Sequence, residues 1–296
     1  MSRRASAKNL LVFALLCLVW GYNWVVMKQA LQYAAPFDFV AWRTLPAALL
    51  LFAVMLARRQ PLALTAPLAV FLLGTLQTAG FLGLATWALL EGGAGKTAVL
   101  AYTMPFWTLM LAWPLLGERL APAQWLAAAI ALTGLILVVE PWRLSGNLAS
   151  DLLAIGAGIS WAASAVLAKW LRARRSIDLL SLTAWQMLFG ALILTLIAVF
   201  VPSRPIRWTP EFVAILLYNI VPATAGAWLA WLHLLHRLSA GAASLSVLLV
   251  PVVGLLASRM QLDERPGAVE LSGMILIGSG LLLLYRAGSR AGSRAV

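Results

Sequence analysis

The sequence predicts an all-α integral membrane protein with ten transmembrane helices, arranged as two inverted five-helix repeats around a central cavity. Three observations predict it. Of the 296 residues, 62% are hydrophobic and 11% are charged, against roughly 45–50% and about 25% in a soluble domain. The apolar residues gather into ten long runs. The chain also resembles itself at a shift of 146 residues.

The runs cover roughly 10–30, 36–57, 66–90, 95–116, 122–140, 149–171, 178–201, 210–235, 241–261 and 267–285. Each reaches or nears the ~20 apolar residues a helix needs to cross hydrocarbon, where no water satisfies an exposed backbone group. The breaks are short and polar: Arg58-Arg59-Gln60-Pro61, Arg172-Ala173-Arg174-Arg175 and Pro202-Ser203-Arg204-Pro205. No stretch leaves room for a soluble domain. The first run follows Arg3, Arg4 and Lys8 as a signal peptide would, but it is longer than a signal core and contains Trp20, Tyr22, Asn23 and Trp24. It is read as an uncleaved first helix.

The net charge is +12. The basic residues sit in short clusters between apolar runs and form no stripe interleaved with aromatics, so a nucleic-acid partner is excluded in favour of the lipid bilayer. With the amino terminus in the cytoplasm and strict alternation, inside segments carry about twice as many Lys and Arg as outside segments. Both termini are therefore placed in the cytoplasm. Cys17 is the single cysteine. No metal-ligand spacing occurs, and no cofactor is expected.

Under the shift, Thr78-Ala79-Gly80 falls on Thr224-Ala225-Gly226, Pro105 on Pro251, Glu118-Arg119 on Glu264-Arg265, and Gly134-Leu135 on Gly280-Leu281. With small gaps, Trp24 matches Trp161, and Trp42-Arg43 matches Trp185-Gln186. The halves are 1–145 and 146–296. Five spans per half is odd, so the second half must enter the membrane inverted. Inverted repeats build many secondary transporters, with the substrate site near the midplane between the halves.

Trp20-Gly21-Tyr22-Asn23-Trp24, Arg43, and a Pro followed thirteen residues later by Glu-Arg in each half resemble the drug/metabolite transporter superfamily. The resemblance covers the whole chain. It is nearest to EamA-type exporters, and among these to bacterial aromatic amino-acid exporters. It implies a bacterial inner-membrane transporter that exports small metabolites, foremost amino acids including aromatic ones, by alternating access. Other metabolites and drugs are the alternative substrates.

Trp20, Asn23, Trp24 and Met27 share one helical face, and Ser160, Trp161 and Ser164 form a comparable face in the sixth run. Tyr102 and Trp107 add aromatic groups in the fourth. Arg43 lies about seven residues into an apolar span, where a charge costs at least about 3 kcal/mol. Three roles are open to it: holding a substrate carboxylate, contacting carbonyls at a broken helix, or reaching to the interface. Its counterpart Gln186 is neutral. Gln77, Tyr218, His233, Ser244 and Ser246 are further polar groups inside apolar runs, and with the foregoing they form the expected substrate pathway. Pro105 and Pro251, each inside a span, are read either as hinges or gates or as static kinks.

Glu91 to Thr97 ends in Gly95-Lys96-Thr97, like a phosphate-binding loop. Leu90 stands where that motif needs glycine, and the segment joins two spans. It is read as a tight turn. No Gly-x-Ser-x-Gly, His-Glu-x-x-His or deep acid occurs, so an enzyme is not expected; an intramembrane enzyme is the distant alternative. All acids lie at or near span ends, which favours uncoupled transport down the substrate gradient. A monomer is favoured, a dimer being possible.

Overall fold

The computed structural model describes residues 3–91, 94–118, 122–139, 148–237, 243, 247, 249, 250, 252–254, 257 and 267–293. Among these there is no strand. Six helices are long and apolar enough to cross a membrane: Leu11–Ala30, Pro36–Ala57, Pro67–Leu90, Leu148–Arg174, Leu179–Phe200 and Pro210–Arg237. Shorter apolar helical stretches cover Met104–Leu116, Trp125–Leu137 and Leu271–Gly280. Large apolar side chains such as Leu68, Val199 and Phe200 lie on the outside, as they do where the surrounding medium is hydrocarbon.

In chain order the helices are α1 (Arg3–Ala30), α2 (Pro36–Ala57), α3 (Pro67–Gly74), the π-helical π1 (Thr75–Gly80), α4 (Phe81–Glu91), α5 (Ala94–Ala101), α6 (Met104–Leu116) and α7 (Pro122–Val139). Then come α8 (Leu148–Arg174), α9 (Leu179–Phe200), α10 (Pro210–Tyr218), π2 (Asn219–Gly226), α11 (Ala227–Arg237) and α12 (Ala268–Ser293). Their ends have local causes. Pro36 opens α2 with Asp38 in its first turn, where a missing N–H costs nothing and negative charge meets the positive end of the dipole. Asp178 caps α9 by accepting from the Ser181 amide at 3.0 Å, and Thr209 caps α10 by accepting from the Phe212 amide at 3.2 Å.

The fourth apolar run is not one kinked helix. It breaks at Tyr102 and Thr103 between α5 and α6, and Pro105 sits in the first turn of α6. Proline disfavours helical geometry in the residue before it and fits the start of a helix, so the chain stops and restarts. Trp107 ties the break together by donating from Nε1 to the Thr103 hydroxyl at 3.1 Å. Pro251 lies outside the described residues.

π1 and π2 interrupt the third and eighth runs at aligned positions, both ending on the matched Thr-Ala-Gly. A π turn leaves carbonyls off the regular ladder, and in a membrane they need other donors. Ser160 of α8 donates to the Leu76 carbonyl in π1 at 2.7 Å. Trp20 of α1 donates to the Ala223 carbonyl in π2 at 3.1 Å.

Helices from matched runs pack on one another. α2 lies along α9, with Phe52 and Trp185 edge to face at 4.9 Å. α7 lies along α12, where a Cβ on Gly134 would meet the Gly273 carbonyl at 2.6 Å. The small residues Ala127, Ala131 and Gly134 thus serve a close helix crossing within the chain, as small residues do in membranes.

Two pairs of loops meet. Arg207 donates its amide to the Tyr33 carbonyl at 2.9 Å, and the Arg204 and Arg207 side chains donate to the Leu31 and Gln32 carbonyls. The loops after the first and seventh runs therefore meet. Gln60, Thr65, Ser176 and Asp178 line one crevice, so the loops after the second and sixth runs meet as well. Glu118, beyond α6, pairs with Lys169 near the end of α8 at 2.8 Å.

Candidate functional site

Six of the expected pathway residues line one cavity: Trp20, Asn23, Trp24, Arg43, Tyr102 and Trp161. The space between the lining atoms is about 470 Å³, counting the part that opens to the outside. α1 supplies Trp20, Asn23 and Trp24 from one face, since positions three and four apart stack along a helix. α2 supplies Arg43, the α5–α6 break supplies Tyr102, and α8 supplies Trp161.

Trp161 is the hub of the wall. Its ring lies 5.3 Å from Trp20, 4.7 Å from Phe81, 5.6 Å from Trp228 and 5.2 Å from Trp231. Edge-to-face and tilted packing of this kind places positive ring edges on negative faces. Trp24 donates to the Tyr102 hydroxyl at 3.4 Å, which joins α1 to the helix break.

Arg43 is 1% exposed. Its Nε and Nη2 donate to the Thr224 hydroxyl in π2 at 3.1 and 2.9 Å, and its guanidinium lies 5.8 Å from the Phe39 ring centre. Nη1 has no partner, and among the described residues Arg43 forms no ion pair. It does not reach the interface. The acceptor at the broken helix is a side-chain hydroxyl, not a backbone carbonyl. Two other cavity residues also hold buried polar atoms without partners: the Asn23 Oδ1 acceptor and the Trp161 Nε1 donor. Buried polar atoms are ordinarily satisfied, and these three belong to residues around a single cavity.

The other expected residues lie elsewhere. Gln186 accepts from Thr78 of π1 at 3.0 Å and is fully buried between helices. Gln77 is fully buried in π1 without lining the cavity. Ser164 donates to the Trp161 carbonyl at 2.6 Å, and Tyr218 to the Val19 carbonyl at 2.7 Å. Trp107 is engaged at the helix break, and His233 is half-buried on α11. Ser244 and Ser246 lie outside the described residues. Among those residues, no group of His, Cys, Asp or Glu could hold a metal ion.

Sequence reasoning missed Phe81, Leu82, Ala85, Met104 and Trp228 in the wall. One signal was available: a large aromatic stands just after the aligned Thr-Ala-Gly in both halves, Phe81 directly after it in one and Trp228 one residue further on in the other. Thr224 and Trp231 extend that face by one turn on either side of Trp228.

This site sits in a recognisable chain. The model of the EamA-like transporter family matches residues 7–140 and again 148–286. The chain belongs to the EamA-like transporter family. This EamA-like transporter is 27% identical over 272 residues to an uncharacterized transporter of Bacillus subtilis, YoaV, covering 90% of this chain and 92% of that one. It is 28% identical to a probable amino-acid metabolite efflux pump of Escherichia coli, covering 96% and 95%. A solved crystal structure superposes with a TM-score of 0.78 at 20% identity, over 96% of this chain and 99% of the other, which establishes the shared fold. It is a multi-pass membrane protein of a transporter family.

Proposed function

We propose that this transporter exports small metabolites, foremost amino acids including aromatic ones, from a bacterial cell across its inner membrane. The observation that carries this is the cavity itself: a buried aromatic wall with unpartnered Arg43 Nη1, Trp161 Nε1 and Asn23 Oδ1. An apolar body would stack on the rings while polar ends meet those three atoms. The relative named as a probable amino-acid metabolite efflux pump supports both the substrate and the direction.

The mechanism is alternating access between two inverted five-helix repeats, 1–145 and 146–296, making ten spans with both termini cytoplasmic and acting as a monomer. Several features support it. Matched helices pack on each other, α2 on α9 and α7 on α12, as helices lying near a two-fold axis in the membrane plane would. The loops after the first and seventh runs meet, and so do the loops after the second and sixth. The break at Tyr102–Thr103 and the π turns are irregular backbone beside the cavity, and such segments bend at least cost. In this mechanism Pro105 and Pro251 are the matched hinges. Among the described residues no acid lines the cavity, which suits uncoupled transport.

The test is counterflow of labelled phenylalanine into proteoliposomes preloaded with unlabelled amino acid. Transient accumulation without an imposed ion gradient is the expected result. Silence across a broad amino-acid panel would sink the amino-acid assignment, and a strict need for a proton gradient would sink the uncoupled mechanism.

A further inference from the structure

We propose that the cavity selects its substrate by the carboxylate and treats the amino group as dispensable, so that aromatic monocarboxylates bind about as well as aromatic amino acids while aromatic amines are rejected. The inference rests on the cavity being the transport site and deepens that assignment.

The charge balance of the wall carries it. Arg43, which lines the cavity, is 1% exposed and spends Nε and Nη2 on Thr224, leaving Nη1 buried and unpartnered. Thr224 is neutral, so the positive charge is hydrogen-bonded but not compensated. Among the described residues, no Asp or Glu lines the cavity. A buried cation without a counter-charge is expensive in a medium that neither solvates nor screens it. A bound carboxylate supplies that counter-charge, and its bond to a guanidinium is about twice as strong as a neutral one. Trp161 Nε1, buried and unpartnered on the same wall, is a second donor for it.

The amino end finds much less. The unpartnered acceptor on the wall is Asn23 Oδ1, a neutral oxygen. An ammonium there gains one hydrogen bond and ring faces but shares a poorly solvated cavity with Arg43, which repels it. Without a carboxylate, that repulsion outweighs the gain. With one, the amine adds little. The aromatic body is served equally in all cases by Trp20, Trp24, Phe81 and Trp228.

The experiment uses purified full-length protein with four probes: phenylalanine, 3-phenylpropionate, phenylalaninamide and phenethylamine. Each is scored by thermal stabilisation in detergent and by competition against labelled phenylalanine in counterflow. 3-Phenylpropionate should match phenylalanine within about threefold, and the amide and amine should need at least about tenfold more, the worth of one charge-assisted hydrogen bond. Arg43→Gln is the informative variant, because the Gln186–Thr78 bond shows this fold accommodating glutamine against a π-turn threonine. It should weaken both carboxylates at least about tenfold and close the gap to the amine.

The inference is overturned if the amine or amide competes as well as phenylalanine, if 3-phenylpropionate fails where phenylalanine binds, or if Arg43→Gln keeps the selectivity. The probe series on the unmutated protein decides the matter even if that variant misfolds. Should phenylalanine neither stabilise nor exchange while 3-phenylpropionate stabilises, the amino-acid assignment and the indifference to the amino group both fail, and only selection by the carboxylate stands. Should none of the four stabilise the protein, both fall.

Discussion

Arg43 on α2 donates twice to the hydroxyl of Thr224 in π2, at 3.1 and 2.9 Å. Their aligned counterparts make the reciprocal contact: Thr78 in π1 donates to Gln186 on α9 at 3.0 Å. Each half thus reaches from its second helix into the π turn of the other half. The two latches differ in charge, and only the Arg43 latch borders the cavity.

The difference in charge sets the first prediction. Thr224→Val strips the acceptor from a buried guanidinium and should cost about 1.5–3 kcal/mol, as for hydrogen bonds to charged groups. Thr78→Val removes a neutral bond between membrane helices and should cost about 0.6–1.7 kcal/mol. Unfolding of each variant in detergent measures both. Equal costs would mean that the Arg43 charge is balanced by something other than Thr224.

A second prediction concerns the crossing that aligns the neutral latch. A Cβ on Gly190 would collide with the Thr78 side chain and lie 2.5 Å from the Gly74 carbonyl. Gly190→Val should therefore push α9 away from π1 and destabilise by about 1–3 kcal/mol, the usual cost of overpacking. The melting temperature in detergent reads it, and an unchanged value would show that α9 shifts freely.

Trp161 contributes packing and a donor, and two substitutions separate them. Trp161→Ala empties the hub of the aromatic wall and should cost about 3–5 kcal/mol. Trp161→Phe keeps most of the contact area but loses Nε1. It should remain folded while weakening carboxylate binding, measured by the same stabilisation assay. Full retention of binding in Trp161→Phe would remove the indole from the site.

Topology gives the fourth prediction. Arg59 and Ser203 are exposed in loops after the second and seventh runs, while Cys17 is buried. On a Cys17→Ser background, Arg59→Cys should react with an impermeant maleimide only from the cytoplasmic side, and Ser203→Cys only from the opposite side. Labelling of both from one side would end the inverted-repeat reading and alternating access with it.

Much of the site was legible in the chain. Trp20, Asn23 and Trp24 line the cavity because i, i+3, i+4 spacing puts them on one face whatever that face meets. Arg43 announced itself because a charge in an apolar run must be buried against something. Trp107 and Tyr218, expected along the pathway by the same logic, do not line this cavity. A polar atom in a membrane helix is satisfied by whichever acceptor lies near, and for these two it is Thr103 and the Val19 carbonyl. The π turns were hidden as well: the matched Thr-Ala-Gly was visible, but a π turn has no residue signature in Thr75–Gly80, which contains no proline.

By itself, the sequence determined that long apolar stretches are membrane-seeking helices and which side chains share a face. Those properties depend on hydropathy and on the 3.6-residue turn, both of them local, whereas the stop and restart of the chain before Pro105 reads in the sequence only as a bend within one span. Tertiary structure alone decided that Arg43 meets Thr224, that Trp228 joins Trp161, and that Ala127, Ala131 and Gly134 pack within the chain. These meetings depend on the crossing angle and depth of one helix against another. Close contacts such as Gly134 against Gly273 set that geometry, and no single helix encodes it.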